Sequence, residues 1–284
     1  MTPVLGLVLA TAILHAGWNA LAKSLGDRWV ASALIGTVNG LFGIGCILLF
    51  GLPAPGAWPF LVLSALLQAG YLMLLTKAYA HGDMSRVYPI ARGTSPVVVT
   101  AIAVAVLGER LSPLSWTGLA VLVAGIGLLA FARRVPAARR RERLDLGVVL
   151  ALLTGLTIAA YSLSDGVGVR TSENPGAYIG WMFALQCPVL IMVCWWRGGA
   201  GFWQRMWTNA PRGLLGGVLS VTSYGVTVWA QSKAPLALVS GLRETSVVWA
   251  ALIGRMFLGE RLVPRELVAI LAAAGGAVLL QLGA

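Results

Sequence analysis

Apolar runs of roughly twenty residues, separated by short polar and basic connections, follow one another along the whole chain. A bilayer core about 30 Å thick needs roughly 20 mainly apolar residues for each helical crossing. Ten such stretches fit, at about 2–22, 30–51, 58–78, 86–107, 114–132, 146–169, 176–196, 213–231, 236–258 and 264–283. The pattern predicts an all-α integral membrane protein of ten transmembrane helices. The first stretch has no basic segment ahead of it, and its first positive charges, Lys23 and Arg28, come after it. It reads as a membrane helix with its N-terminus outside rather than a signal peptide.

Composition agrees: 58% of the 284 residues are hydrophobic and only 11% charged, at a mean hydropathy of +0.83. These values exclude an ordinary soluble domain. A net charge of +11 would point to nucleic acid in a soluble protein, but here the basic residues sit in the connections between spans, where lipid-facing topology explains them. No nucleic-acid partner is expected. Sixteen of the 21 Lys and Arg fall in odd-numbered connections, which places those in the cytoplasm and both termini outside. Cys46, Cys187 and Cys194 lie inside spans without metal-ligand spacing and read as small packing residues.

The chain also repeats itself. RGTSPVV at Arg92 aligns with RETSVVW at Arg243, LGERL at Leu107 with LGERL at Leu258, and Pro113 with Pro264, all at an offset of 151 residues. One offset shared by a charge, a pentapeptide and a proline defines an internal repeat. The expected organisation is a five-helix unit at 1–132, a basic cytoplasmic linker at 133–145 and a second five-helix unit at 146–284. Because five is odd, the second unit sits upside down relative to the first, as in many secondary transporters whose substrate site lies near the midplane between repeats.

LHAGWNALAK at Leu14–Lys23, with the paired Arg-x-Thr-Ser, LGERL and Pro segments, resembles the drug/metabolite transporter superfamily, and in particular its EamA-type members built from two five-helix repeats. The resemblance covers essentially the whole chain. It implies a transporter of small solutes, with amino acids, sugars, nucleotide sugars and phosphorylated metabolites among the family's cargoes. His15 ahead of Trp18 and Asn19 is also similar to a subgroup found beside phosphonate-catabolism genes. The second half lacks this motif: Tyr161 stands where Trp18 would be, and nothing matches His15.

Candidate chemistry centres on charges placed deep in apolar spans. Arg92 lies about 9 Å past Arg86 at 1.5 Å per residue, and Arg243 about 10 Å past Leu236. A charge at such depth costs about 2.5–3.5 kcal/mol on insertion scales and usually faces a cavity or a partner; snorkelling to the nearer interface is the alternative. Two guanidiniums reaching a shared pathway would suit a carboxylate or phosphoryl group. Glu244 has only Gly93 as its counterpart, and adjacent helical positions point about 100° apart, so pairing with Arg243 is not required. It is a candidate proton carrier or a structural ion-pair partner.

Polar residues at helical spacing extend the candidate substrate site: His15, Trp18 and Asn19; Gln68 and Tyr71, with Ser64; Tyr88 and Ser95 beside Arg92; Tyr161, with Thr154 and Thr157; and Tyr224, with Gln231. Interhelical hydrogen bonding is the competing use of such residues. Asp165 is expected near the outer end of its span. Gly36 and Gly40, and Ala269, Ala273 and Ala277, form small-residue stripes for close packing within the chain or, alternatively, a homodimer face. Trp29, Trp58, Trp195, Trp196 and Trp207 fall near span ends as interfacial anchors.

The sequence thus predicts a secondary transporter, by exchange or proton coupling, of a small anionic or zwitterionic metabolite such as an amino acid, organic acid or phosphonate across the bacterial inner membrane. No cofactor is expected, and no GxxxxGK[ST] loop occurs. An intramembrane enzyme or lipid-handling protein is the rival class, but neither HExxH nor GxSxG is present.

Overall fold

The computed structural model describes residues 2–81, 84–131, 143–257 and 263–284. Most of the 133–145 linker and the second LGERL segment lie outside the described residues. Eleven α-helices follow one another: α1 (Thr2–Ser24), α2 (Arg28–Phe50), α3 (Trp58–His81), α4 (Met84–Ala105), α5 (Pro113–Phe131), α6 (Arg143–Thr171), α7 (Pro175–Gly198), α8 (Phe202–Gln231), α9 (Leu236–Arg243), α10 (Ser246–Phe257) and α11 (Pro264–Leu282). Among the described residues, nine segments are long and apolar enough to cross a bilayer, and Pro113–Leu129 is a slightly shorter tenth. Large apolar side chains such as Leu48, Leu49, Leu271 and Val106 remain exposed on the outside, as a lipid-facing surface requires.

Two spans differ from expectation. The ninth is not continuous: at Glu244 and Thr245 it tightens into i→i−3 hydrogen bonds, with Thr245 N–H donating to the Leu242 carbonyl, and divides into α9 and α10. The eighth begins at Phe202 rather than near 213, because the helix runs through Pro211 and a polar first segment. Thirty residues at 1.5 Å each give about 45 Å, more than the hydrocarbon core needs. The early turns are tied down by Arg205, whose guanidinium donates to Asp27 and to the carbonyls of Gly198 and Ala200.

Helix pairing shows the two halves interlocked by an approximate twofold exchange. α2 packs on α7 and α5 on α11; α3 on α6 is matched by α1 on α8, and α4 on α6 by α1 on α9 and α10. Small residues set the closest approaches. A Cβ on Gly276 would stand 2.4 Å from the Leu122 amide nitrogen, and one on Gly125 2.5 Å from that of Ala273. As numbers rise along α5 from Gly118 to Gly125, the partners fall along α11 from Gly276 to Ala269, so the equivalent helices run antiparallel. That is the geometry of inverted repeats. On α2, Gly36 and Gly40 approach Leu190 and Cys187 of α7. Both small-residue stripes are therefore used inside the chain, and neither is free to serve as a dimer face.

Of the tryptophans, Trp195, Trp196 and Trp207 are exposed, whereas Trp29 and Trp58 are half-buried. Trp29 stacks beneath Arg197 and Trp58 packs edge-on to Trp181, so these two serve packing as well as any interface.

Candidate functional site

A cavity of about 320 Å³ opens between the halves. Gly26 and Arg28 border it at the α1–α2 connection, and Arg92, Tyr161 and Tyr224 lie at its inner end. Arg28 sits 4.2 Å from the centre of the Tyr79 ring at the mouth. At the far side a packed apolar cluster around Leu61, Tyr178, Met182 and Val228 fills the space between α3, α6, α7 and α8. Beyond it, Glu109 accepts bonds from the Leu236 and Ala237 amides at the start of α9 and pairs with Arg170 at 3.1 Å. Arg170 in turn donates to the carbonyls of Gln231 and Ala234. The first LGERL motif thus latches the end opposite the mouth. The chain is open on one side and shut on the other.

Eight of the twelve candidate residues line this cavity: His15, Trp18, Asn19, Gln68, Tyr71, Arg92, Tyr161 and Tyr224. The other four stand behind it. Tyr88 lies under the Arg92 guanidinium at 5.4 Å, with a buried hydroxyl that has no hydrogen-bond partner among the described residues, and Ser95 is fully buried one turn further on. Arg243 and Glu244 form the layer beneath Arg92. Asn39, Gln186 and Ser220, which no sequence motif singles out, also face the space. Asn39 and Gln186 are lone polar residues in apolar spans without a polar neighbour at helical spacing, and on α2 the GxxxG spacing reads as packing; Ser220 stands one turn before Ser223 and Tyr224 on the polar face of α8.

The electrostatics follow from one carboxylate shared by two guanidiniums. Glu244 pairs with Arg92 at 3.2 Å across the pseudo-twofold and with Arg243 at 3.0 Å beside it in sequence. The expectation that Arg243 and Glu244 would point apart does not hold. An arginine side chain is long enough to bend back over its neighbour, and both groups are almost wholly buried. Arg243 also donates to the Ser162 hydroxyl at 3.1 Å. Exposures of 3% for Arg92, 2% for Arg243 and 0% for Glu244 rule out snorkelling. The three charges sum to one net positive charge, and only Arg92 carries it to the cavity wall. Arg92 also contacts His15 Nε2. A guanidinium only donates, so His15 Nε2 is the acceptor in this contact.

Asp165 is a second correction. It was expected at an interface, but α6 continues to Thr171 and the carboxylate is fully buried. Tyr178 donates to its Oδ1 at 3.1 Å and Tyr224 to its Oδ2 at 2.5 Å. Thr154 and Thr157 donate to carbonyls four residues back on their own helix and do not reach the cavity.

The EamA-like transporter family matches residues 2–131 and again 145–282. The chain belongs to the EamA-like transporter family. Among its relatives, the Bacillus subtilis (strain 168) protein named "Uncharacterized transporter YwfM" is 26% identical over 214 residues, 73% of this chain and 68% of that one. The "Threonine/homoserine exporter RhtA" of Escherichia coli (strain K12) is 27% identical over 221 residues, 73% of this chain and 71% of that one. A crystal structure at 18% identity superposes with a TM-score of 0.72 over 99% of this chain and 98% of its own, and supports the fold. Family membership decides between the two classes left open by the sequence: this EamA-like protein is a multi-pass membrane transporter of small metabolites, not an intramembrane enzyme.

Proposed function

We propose that this EamA-like transporter moves a small anionic or zwitterionic metabolite across the bacterial inner membrane, by exchange or coupled to protons, with Arg92 holding the anionic group. The observation that carries the reading is the charge balance at the inner end of the cavity. Apart from Arg28 at the mouth, Arg92 is the charged residue among the described residues that line the cavity; the rest are polar uncharged, aromatic or aliphatic, and no carboxylate faces the same space. A guanidinium in contact with His15 offers a fork of donors to a carboxylate or phosphonate. About 320 Å³ suits a metabolite of amino-acid size rather than a lipid.

With odd connections cytoplasmic, the mouth beside Gly26 and Arg28 faces the cytoplasm and both termini lie outside. The units at 1–132 and 146–284 then rock against each other about the central charges, joined by the 133–145 linker, to expose the cavity to either side. A thermal-shift screen of amino acids, organic acids, phosphonates and sugar phosphates on purified protein identifies the cargo. The name of the E. coli relative makes threonine and homoserine the first compounds to try. In proteoliposomes the selected compound should show saturable flux, abolished by Arg92→Ala. Unchanged flux in that variant removes Arg92 from the pathway.

A further inference from the structure

Two carboxylates are fully buried among the described residues, and their surroundings differ. Glu244 has a guanidinium on each side, so its charge is matched twice. Asp165 has no cation at ion-pair distance among the described residues. Its partners are hydroxyls: Tyr178 from α7, Tyr224 from α8 and, from α3, Ser64. Arg243 of α9 acts on it only from a distance and is occupied by Glu244 and Ser162. Tyr161, one turn earlier on α6, lies within electrostatic reach of both Asp165 and Arg92 of α4. An isolated carboxylate in a membrane interior is costly unless it can take up a proton, and such residues mark proton pathways.

Its position gives that proton a route. Tyr224 borders the cavity on one side and donates to Asp165 Oδ2 on the other. Asp165 itself does not line the cavity, and it lies toward the end closed by the packed Tyr178 cluster. We propose that Asp165, and not Glu244, is the group that binds and releases the coupling proton of this transporter. The Tyr224 hydroxyl passes its hydrogen to Oδ2 and takes one from cavity water, so a single proton moves from solution to Asp165. When the halves rock and the Tyr178 cluster parts, the proton leaves on the opposite side. This assignment rests on the transporter reading, but proton binding by Asp165 can be measured without any substrate.

Infrared difference spectra of the purified full-length protein between pH 5 and pH 8 are expected to contain a protonated-carboxyl band that disappears in Asp165→Asn and returns, shifted, in Asp165→Glu. A band unchanged in Asp165→Asn, or no titrating buried carboxyl in the wild type, overturns the assignment. In proteoliposomes with radiolabelled L-threonine as the probe, Asp165→Asn should lose accumulation driven by a pH gradient, by about tenfold or more, while threonine counterflow stays within about twofold. Loss of both in equal measure in a folded variant overturns the coupling role. A wild type that moves no threonine by either route but keeps the Asp165 band overturns threonine as the cargo and leaves proton binding standing.

Discussion

Glu244→Gln separates the two jobs of the central charges. In the native chain one carboxylate balances Arg92 and Arg243, with contacts of 3.2 Å and 3.0 Å. The amide keeps one acceptor oxygen but removes the negative charge, leaving two buried guanidiniums facing each other. Breaking a buried pair costs about 3–5 kcal/mol. His15 and Ser162 still contact the two arginines, so a loss of about 2–4 kcal/mol is the reasoned value. At roughly 2–4 °C per kcal/mol, the apparent Tm should fall by about 5–15 °C.

Substrate binding should move the other way. A substrate anion on the cavity edge of Arg92 would sit about 6 Å from Glu244, where like charges repel by about 3 kcal/mol at an effective dielectric of 20. Relieving that repulsion tightens binding by roughly 10- to 100-fold. The assay is intrinsic tryptophan fluorescence during heating, with and without the cargo found by screening. Arg243→Gln added to Glu244→Gln should recover much of the lost stability, because one charge is then removed from each side. A Glu244→Gln protein as stable as the wild type, with an unchanged ligand-induced shift, would refute the shared-carboxylate account.

Two further outcomes follow from packing and from the latch. Gly276→Val must drive α5 and α11 apart, since even a Cβ there meets Leu122 and Gly118 backbone at 2.4–2.7 Å; a destabilisation of about 1–3 kcal/mol, read as a lower unfolding temperature, is expected with flux per folded molecule preserved. Arg170→Ala removes the bridge to Glu109 and the donors to the Gln231 and Ala234 carbonyls. A thiol probe at a cavity position should then become reactive from the side opposite the mouth, whereas the same probe with Arg170 intact should not.

Much of this was legible in the sequence, for reasons that can be named. Apolar runs of bilayer length show the spans, the shared offset of Arg92 and Arg243 shows the repeat, and the odd number of spans in each repeat gives the inversion, because all three are properties of spacing alone. The break at Glu244 and Thr245 was not legible, since the residues at its edge engage Arg92 and Ser162 of other helices, which spacing along one span does not show. Asp165, five residues before Arg170, reads from the sequence as near the end of its span. Arg170 turned out to serve the α8–α9 connection, and the tyrosines that engage Asp165 come from two other helices, 13 and 59 residues away in sequence. Asn39 and Gln186 belong to the same class: single polar positions whose meaning appears only when seven helices converge on one space.

The most direct test of the central claim, a water-filled space between inverted halves that opens at the α1–α2 connection, is cysteine accessibility at Thr76, which lines the cavity. Cys46, Cys187 and Cys194 are first replaced by alanine or serine, and Thr76→Cys is treated with a membrane-impermeant thiol reagent in right-side-out and inside-out vesicles. Labelling from the cytoplasmic face, slowed by the bound cargo, is the predicted result; no labelling from either face, or labelling from the outside alone, would contradict it.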